Sequence, residues 1–239
     1  MARRGTVGAL LASGLVAMVA IGAAGGYGVG LLTSGQASAA AGAAAPLGRV
    51  KPANPSASTT PTPTRTPKPD DTPGLQADEL RYKTRSFTVQ SVVRSQMRVR
   101  VPVNWRFTKP DPPTLGRFTD PTGKRWIRIQ AGFTITRPPA QSMQARIGEL
   151  GRLPADQLLK IIASTVDQDY ATLVYTYLPL KEQSREEILR YVVVRWVADE
   201  SGDCAVEMSS TGLPQDKEAL MDVLDHASNS VERRDSPLP

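Results

Sequence analysis

The chain is short of the residues on which most enzymes and metalloproteins depend. Its 239 residues include one cysteine, Cys204, and one histidine, His226. A single cysteine closes no disulfide within the chain, and the two residues supply neither a Cys-rich zinc site nor a centre built on paired histidines. No G-x-S-x-G elbow, phosphate loop or H-E-x-x-H helix occurs. His226 sits next to Asp225, which on a helix points roughly 100° away. Cys204 alternates with Val206 and Met208, the pattern of a buried core thiol rather than a nucleophile. Glu186/Glu187 and Asp167/Asp169 are left as paired carboxylates. The expectation is no metal, no cofactor and no enzymatic activity; the alternative is an envelope hydrolase working through carboxylates.

What the chain does have is a 26-residue uncharged run, residues 7 to 32, preceded by Arg3 and Arg4 and followed by no charge until Arg49. That run exceeds the roughly 20 residues that cross a bilayer core, and the flanking arginines hold the N-terminus in the cytoplasm. The reading is a single-pass cell-membrane anchor over 1–32 with everything after it extracytoplasmic. The alternative is a signal peptide cleaved at the A-x-A-like Ala37/Ala39, giving a secreted protein. Gly22, Gly26 and Gly30 form overlapping G-x-x-x-G spacings, a face on which two such helices could form a homodimer.

Residues 33–79 are first Ala/Ser/Gly-rich and then proline-rich, with eight of the 20 prolines between residues 46 and 74. Proline removes donors and fixes φ, so this stretch reads as a disordered, extended linker. A folded domain is expected over 80–235, with 236–239 a tail. Met97, Val99 and Val101 alternate with Gln96, Arg98 and Arg100, the period of a half-buried strand. The turn Asp120-Pro121-Thr122-Gly123 sits in a hairpin over 117–133, with Ile127, Ile129 and Ala131 on one face and Trp126, Arg128 and Gln130 on the other. Residues 173–178 and 188–197 are dense in β-branched and aromatic residues, and a strand runs through Cys204, Val206 and Met208. Helices are expected over 141–150, from Pro154 to Thr165, and over 215–231. The implied class is α+β, a mostly antiparallel sheet flanked by helices on both faces.

The strings VPVNWRF, FTDPTGKRWIRI and RYVVVRWV, with a closing helix containing VLDHASNSV, resemble the PsbP-like α/β/α sandwich domains of actinobacterial membrane-tethered and secreted proteins. The resemblance spans residues 86 to 233. It implies a non-catalytic binding or scaffolding module and supplies no catalytic residues.

Charge is divided unevenly. Residues 81–137 carry 13 Lys+Arg and two acids, whereas residues 138–239 carry 10 Lys+Arg and 17 acids. Either these charges pair within the fold or the arginines form an anion-attracting face. The candidate face is Arg94, Arg98, Arg100, Trp126 and Arg128. Its partners would be anionic lipid, an anionic wall polymer or an envelope protein, and an extracytoplasmic location argues against nucleic acid.

Overall fold

In the computed structural model, residues 65–108, 113–184 and 186–238 are described. The anchor, the glycine face at Gly22, Gly26 and Gly30, and the linker up to residue 64 lie outside the described residues. Among the described residues no helix is long and apolar enough to cross a membrane.

The described chain forms ten strands and two α-helices: β1 (Tyr82–Gln90), β2 (Arg94–Pro102), β3 (Arg106–Thr108), β4 (Leu115–Thr119), β5 (Trp126–Gln130), α1 (Pro139–Leu150), β6 (Lys160–Val166), β7 (Tyr170–Tyr177), β8 (Arg190–Ala198), β9 (Cys204–Gly212), α2 (Lys217–Ser228) and β10 (Glu232–Ser236). Seven strands build one antiparallel sheet in the order β3-β4-β5-β9-β8-β7-β6, and a second sheet has the order β1-β2-β10. The mostly antiparallel α+β class expected from the sequence is the one observed.

Period-2 alternation explains how the layers meet. Met97, Val99 and Val101 of β2 point inward, where they join Ile127 and Ile129 of β5, Val193 of β8 and Met208 of β9. Val223, Leu224 and Ala227 of α2 complete this core. The opposite face of the seven-stranded sheet presents Leu173, Val192, Val194 and Trp196, which pack beneath Met143 and Leu150 of α1. Each fully buried aliphatic side chain contributes about 1.5–3 kcal/mol, so the sheet is held from both sides.

Three expectations need correction. The segment from Pro154 to Thr165 is not a helix: a single 3-10 turn at Ala155–Gln157 ends at Leu158, which has φ 49°, and β6 follows. The β-branched residues Ile161, Ile162, Thr165 and Val166 suit a strand, and pairing with β7 overrides the apparent helical spacing. The layer containing α2 holds a second sheet, β1-β2-β10, as well as that helix. The last helix stops at Ser228 and the chain then returns as β10, pairing with β2.

Residues 65–79, assigned above to the linker, lie against the folded unit. Lys68 bridges to Ile188 in parallel, and Leu75 N–H donates to Asp216 Oδ1 at 2.8 Å. Lys124 Nζ lies 2.5 Å from Asp70 Oδ2. Beneath this strap Arg125 is clamped between Asp216 (Nε–Oδ2 2.7 Å, Nη2–Oδ1 2.9 Å) and Asp120 (Nη1–Oδ2 3.3 Å), and it donates to the Pro73 carbonyl. The strap, the β4–β5 turn and the start of α2 therefore meet on one buried guanidinium.

Candidate functional site

The five residues of the expected anion face do not share a face. Arg94, Arg98 and Arg100 project from the outer surface of the three-stranded sheet. Trp126 and Arg128 lie beyond the core, on the face of the seven-stranded sheet turned away from β2. Arg98 pairs with Glu232 at 3.6 Å, with both side chains more than half exposed, an arrangement that contributes little. Trp126 is 2% exposed rather than a surface anchor. Sequence alternation places Trp126 and Arg128 on a polar strand face correctly; which sheet that face belongs to is decided by tertiary pairing.

A different group gathers around Trp126. The hairpin register sets Arg117 directly opposite Arg128, and Trp126 opposite Thr119. On the other side Arg128 faces Ser209 and Trp126 faces Thr211 of β9. The row continues through Val192 to Tyr175, while Arg190 pairs with Tyr177. The Arg117 guanidinium lies over the Trp126 ring at 4.4 Å, and that of Arg190 lies 5.5 Å from the same ring. Helix α1 packs against β7 and β8, so the β4–β5–β9 part of this face is left to polar residues. Thr119, Arg117, Arg128, Gln130 and Ser209 are all half-buried there.

Like charges directly opposite one another on a sheet repel. Burial, followed by the neighbouring cations Arg128 and Arg190, pulls the Arg117 pKa down to about 10. Burial also lowers Arg128, opposed by the nearby Tyr175 and Tyr177 hydroxyls. Arg117 donates from Nε to Thr119 Oγ1 at 3.0 Å and forms no ion pair among the described residues. Trp126 Nε1 is buried without an acceptor among the described residues. A buried indole N–H ordinarily finds a partner, so this N–H and the Arg117–Arg128–Arg190 cluster together favour a group that brings negative charge and accepting oxygens.

Arg190 of this cluster also meets Glu186 Oε2 at 3.6 Å and donates to the Lys124 carbonyl at 3.1 Å, and other arginines pair within the fold. Arg146 Nη2 meets Glu207 Oε1 at 2.8 Å, while Trp196 Nε1 donates to the other oxygen of Glu207 at 2.8 Å. Burial lowers the Arg146 pKa, but Glu207, Tyr175 and Glu149 outweigh it and leave it raised. Arg195 is held by Asp225 at 2.7 Å and Arg233 by Asp235 at 2.7 Å.

Three of the four candidate acid–base groups, Glu186, Glu187 and Asp167, make structural contacts. Glu187 receives Lys68 at 3.5 Å and Lys181 at 3.7 Å, and Glu186 receives Arg190 at 3.6 Å. Asp167 caps its own turn through Gln168 N–H. The two buried acids that converge, Asp120 and Asp216, converge on Arg125. Each oxygen of Asp216 accepts two hydrogen bonds, from Leu75 N–H and Arg125 on Oδ1 and from Leu213 N–H and Arg125 on Oδ2. His226 stacks on Tyr82 at 3.8 Å and faces Asp222 at 3.7 Å, one turn earlier, rather than Asp225. Burial pushes the Cys204 thiol up to about 12, which leaves almost no thiolate at neutral pH. Among the described residues no group of three or more His, Cys, Asp or Glu side chains could hold a metal ion.

Arg117 and Arg190 are the site residues not identified from the sequence. Arg117 was within reach: a hairpin closed by Asp120 and Arg125 fixes Arg117 against Arg128 by counting outward. Arg190 carries no such local signal, because only the β9–β8 pairing brings it to Trp126.

No protein-family profile and no curated protein matches the chain. Among solved structures, the chain is similar to the Ran-binding protein Mog1p of Saccharomyces cerevisiae, with TM-score 0.43 and 11% identity over 63% of this chain and 96% of that one. It is also similar to LpqN, described as involved in cell envelope biogenesis of Mycobacterium tuberculosis, with TM-score 0.33 and 16% identity over 63% of this chain and 91% of that one.

Proposed function

We propose that this protein is a membrane-anchored, extracytoplasmic, PsbP-like module that binds an anionic component of the cell envelope and performs no chemistry on it. The observation that carries the reading is the arginine–tryptophan platform. Arg117 and Arg190 lie over the ring of Trp126, Arg128 stands opposite Arg117 across the hairpin, and the buried indole N–H has no acceptor among the described residues. A phosphodiester would offset the mutual repulsion of the guanidiniums and supply the missing acceptor, since guanidinium–phosphate contacts are charge-assisted and geometrically specific. The binding face therefore includes Trp126 and Arg128 of the expected set, joined by Arg117 and Arg190, in place of Arg94, Arg98 and Arg100. The 26-residue uncharged N-terminal run with its arginine flank supports the tether and the outside location.

The test uses the full-length chain in neutral detergent, titrated with poly(glycerol phosphate) and separately with phosphatidylglycerol or phosphatidylcholine vesicles. The two anionic probes share the phosphodiester and distinguish a wall polymer from a lipid headgroup. Binding to either anion that weakens with salt and drops about tenfold or more in Arg117→Glu supports the reading, on the scale of one charge-assisted contact. Equal binding to phosphatidylcholine, or full binding by Arg117→Glu, refutes it.

A further inference from the structure

The β5 strand leaves the large sheet abruptly. Its last rung pairs Gln130 with Glu207 of β9. Gly132 then adopts φ +80°, and a Cβ there would stand 3.0 Å from the backbone of Ser91 and Val93, so the chain turns away at a position that only glycine fills. The two walls rejoin at both ends of the excursion. Cys204 N–H donates to the Arg137 carbonyl at 2.9 Å, and the Arg233 guanidinium bridges the carbonyls of Phe133 and Ala205. Between these closures lies a groove of about 470 Å³, within the range of ligand sites.

The wall on the β5 side is a strip of main chain without partners. The N–H and C=O groups of Thr134, Ile135 and Thr136 form no hydrogen bond among the described residues. Thr134 and Thr136 are exposed, while Phe133 and Ile135 are half-buried. The facing wall is acidic: Asp199 and Asp203 line it, and Asp235 is already neutralised by Arg233 at 2.7 Å. Asp203 forms no side-chain hydrogen bond or ion pair among the described residues, Asp199 accepts from Ser201 N–H and Oγ, and Arg233, which also lines the groove, is engaged by Asp235.

We infer that this groove takes a short extended basic peptide segment of a partner protein, which pairs its backbone with Thr134–Thr136 and directs a lysine or arginine at Asp203 and Asp199. An open strip of main chain supplies affinity by strand addition, and the acids select the side chains of the incoming strand. The inference stands apart from the arginine platform, none of whose residues lines the groove and which attracts the opposite charge.

The experiment uses the full-length chain in neutral detergent and a fluorescent capped hexapeptide, Thr-Lys-Val-Lys-Val-Thr, read by anisotropy. Comparison probes are Thr-Glu-Val-Glu-Val-Thr and the lysine peptide with alternate amides N-methylated. The inference expects saturable binding of the lysine peptide only, about fivefold to tenfold weaker for Asp203→Asn and about tenfold weaker for the N-methylated peptide. Arg117→Glu leaves this binding unchanged, which separates the groove from the platform. Absence of saturation by the lysine peptide, equal binding of the glutamate peptide, or undiminished binding after N-methylation overturns the inference.

Discussion

Asp216→Asn is expected to be among the most damaging single-atom exchanges in this fold. Asp216 is fully buried, and its two oxygens together accept four hydrogen bonds, from Leu75 N–H, Leu213 N–H and twice from Arg125. An asparagine amide can be flipped either way, yet both orientations place its NH₂ against two donors. It also leaves the Arg125 guanidinium with a single carboxylate, Asp120 at 3.3 Å, beside the Pro73 carbonyl and the one remaining amide oxygen. Removing one member of a buried ion pair costs about 3–5 kcal/mol. For a domain of this size that lowers the melting temperature by about 6–20 °C. The full-length chain would be unfolded in urea and by heat, with tryptophan fluorescence as the readout, beside Arg125→Met/Asp216→Leu. The double variant removes both charges and is expected to recover much of the loss. Faster tryptic cleavage after Arg65, whose side chain is buried beside Glu187 and which precedes Thr66, would report release of the strap that Asp216 holds at Leu75. A loss below about 1 kcal/mol in Asp216→Asn, the ordinary value of one hydrogen bond, would refute the clamp.

Two further outcomes follow from the same packing. Burial raises the Asp70 carboxyl, but its hydrogen bonds to Lys124 and Thr72 outweigh this and lower it from 3.8 to about 2. Its contact with Lys124 therefore contributes fully above about pH 4 and is lost as pH falls toward 2; a carbon-13 carboxyl titration is expected to show a midpoint near 2, and one near 3.8 would contradict the contact. Gly116 of β4 lies under Phe87 of β1, and a Cβ there would overlap the ring. Gly116→Ala is expected to cost about 1–3 kcal/mol by overpacking, measured by urea denaturation, and an unchanged midpoint would show that the two sheets are less tightly joined.

The parts of the fold legible in the sequence are those written in local period and turn chemistry. Alternation at Met97–Val101 and at Trp126–Gln130 gave the inward faces of β2 and β5, and the Asp-Pro-Thr-Gly turn gave the hairpin between β4 and β5. What failed depends on partners distant in the chain. Ile161, Ile162 and Thr165 carry a pattern compatible with a helix, and only an available edge at β7 selects the strand. Glu232–Ser236 holds almost no apolar residue, and it becomes a strand because β2 offers a free edge to it. The site divides in the same way. Trp126 and Arg128 were readable as neighbours on one face, whereas their separation from Arg98 and Arg100 comes from the stacking of two sheets, which strand period does not encode. The strap at 65–79 was hidden by its prolines, because Pro73-Gly74-Leu75 reads as spacer, and only the distant Arg125, at the Pro73 carbonyl, and Asp216, at the Leu75 N–H, hold its backbone.

The arginine–tryptophan platform is tested most directly at the indole N–H of Trp126. The chain has three tryptophans, and one of them, Trp196, is fixed on Glu207 at 2.8 Å and serves as an internal control. Nitrogen-15 indole spectra of the full-length chain would be followed on addition of dihexanoyl phosphatidylglycerol or its phosphatidylcholine counterpart, in wild type and Arg117→Glu, at low and high salt. The account predicts a saturable shift of the Trp126 resonance with phosphatidylglycerol alone, no movement of Trp196, and loss of the shift in Arg117→Glu and at high salt. A Trp126 resonance that stays in place, or moves equally with phosphatidylcholine or in the Arg117→Glu chain, would contradict it.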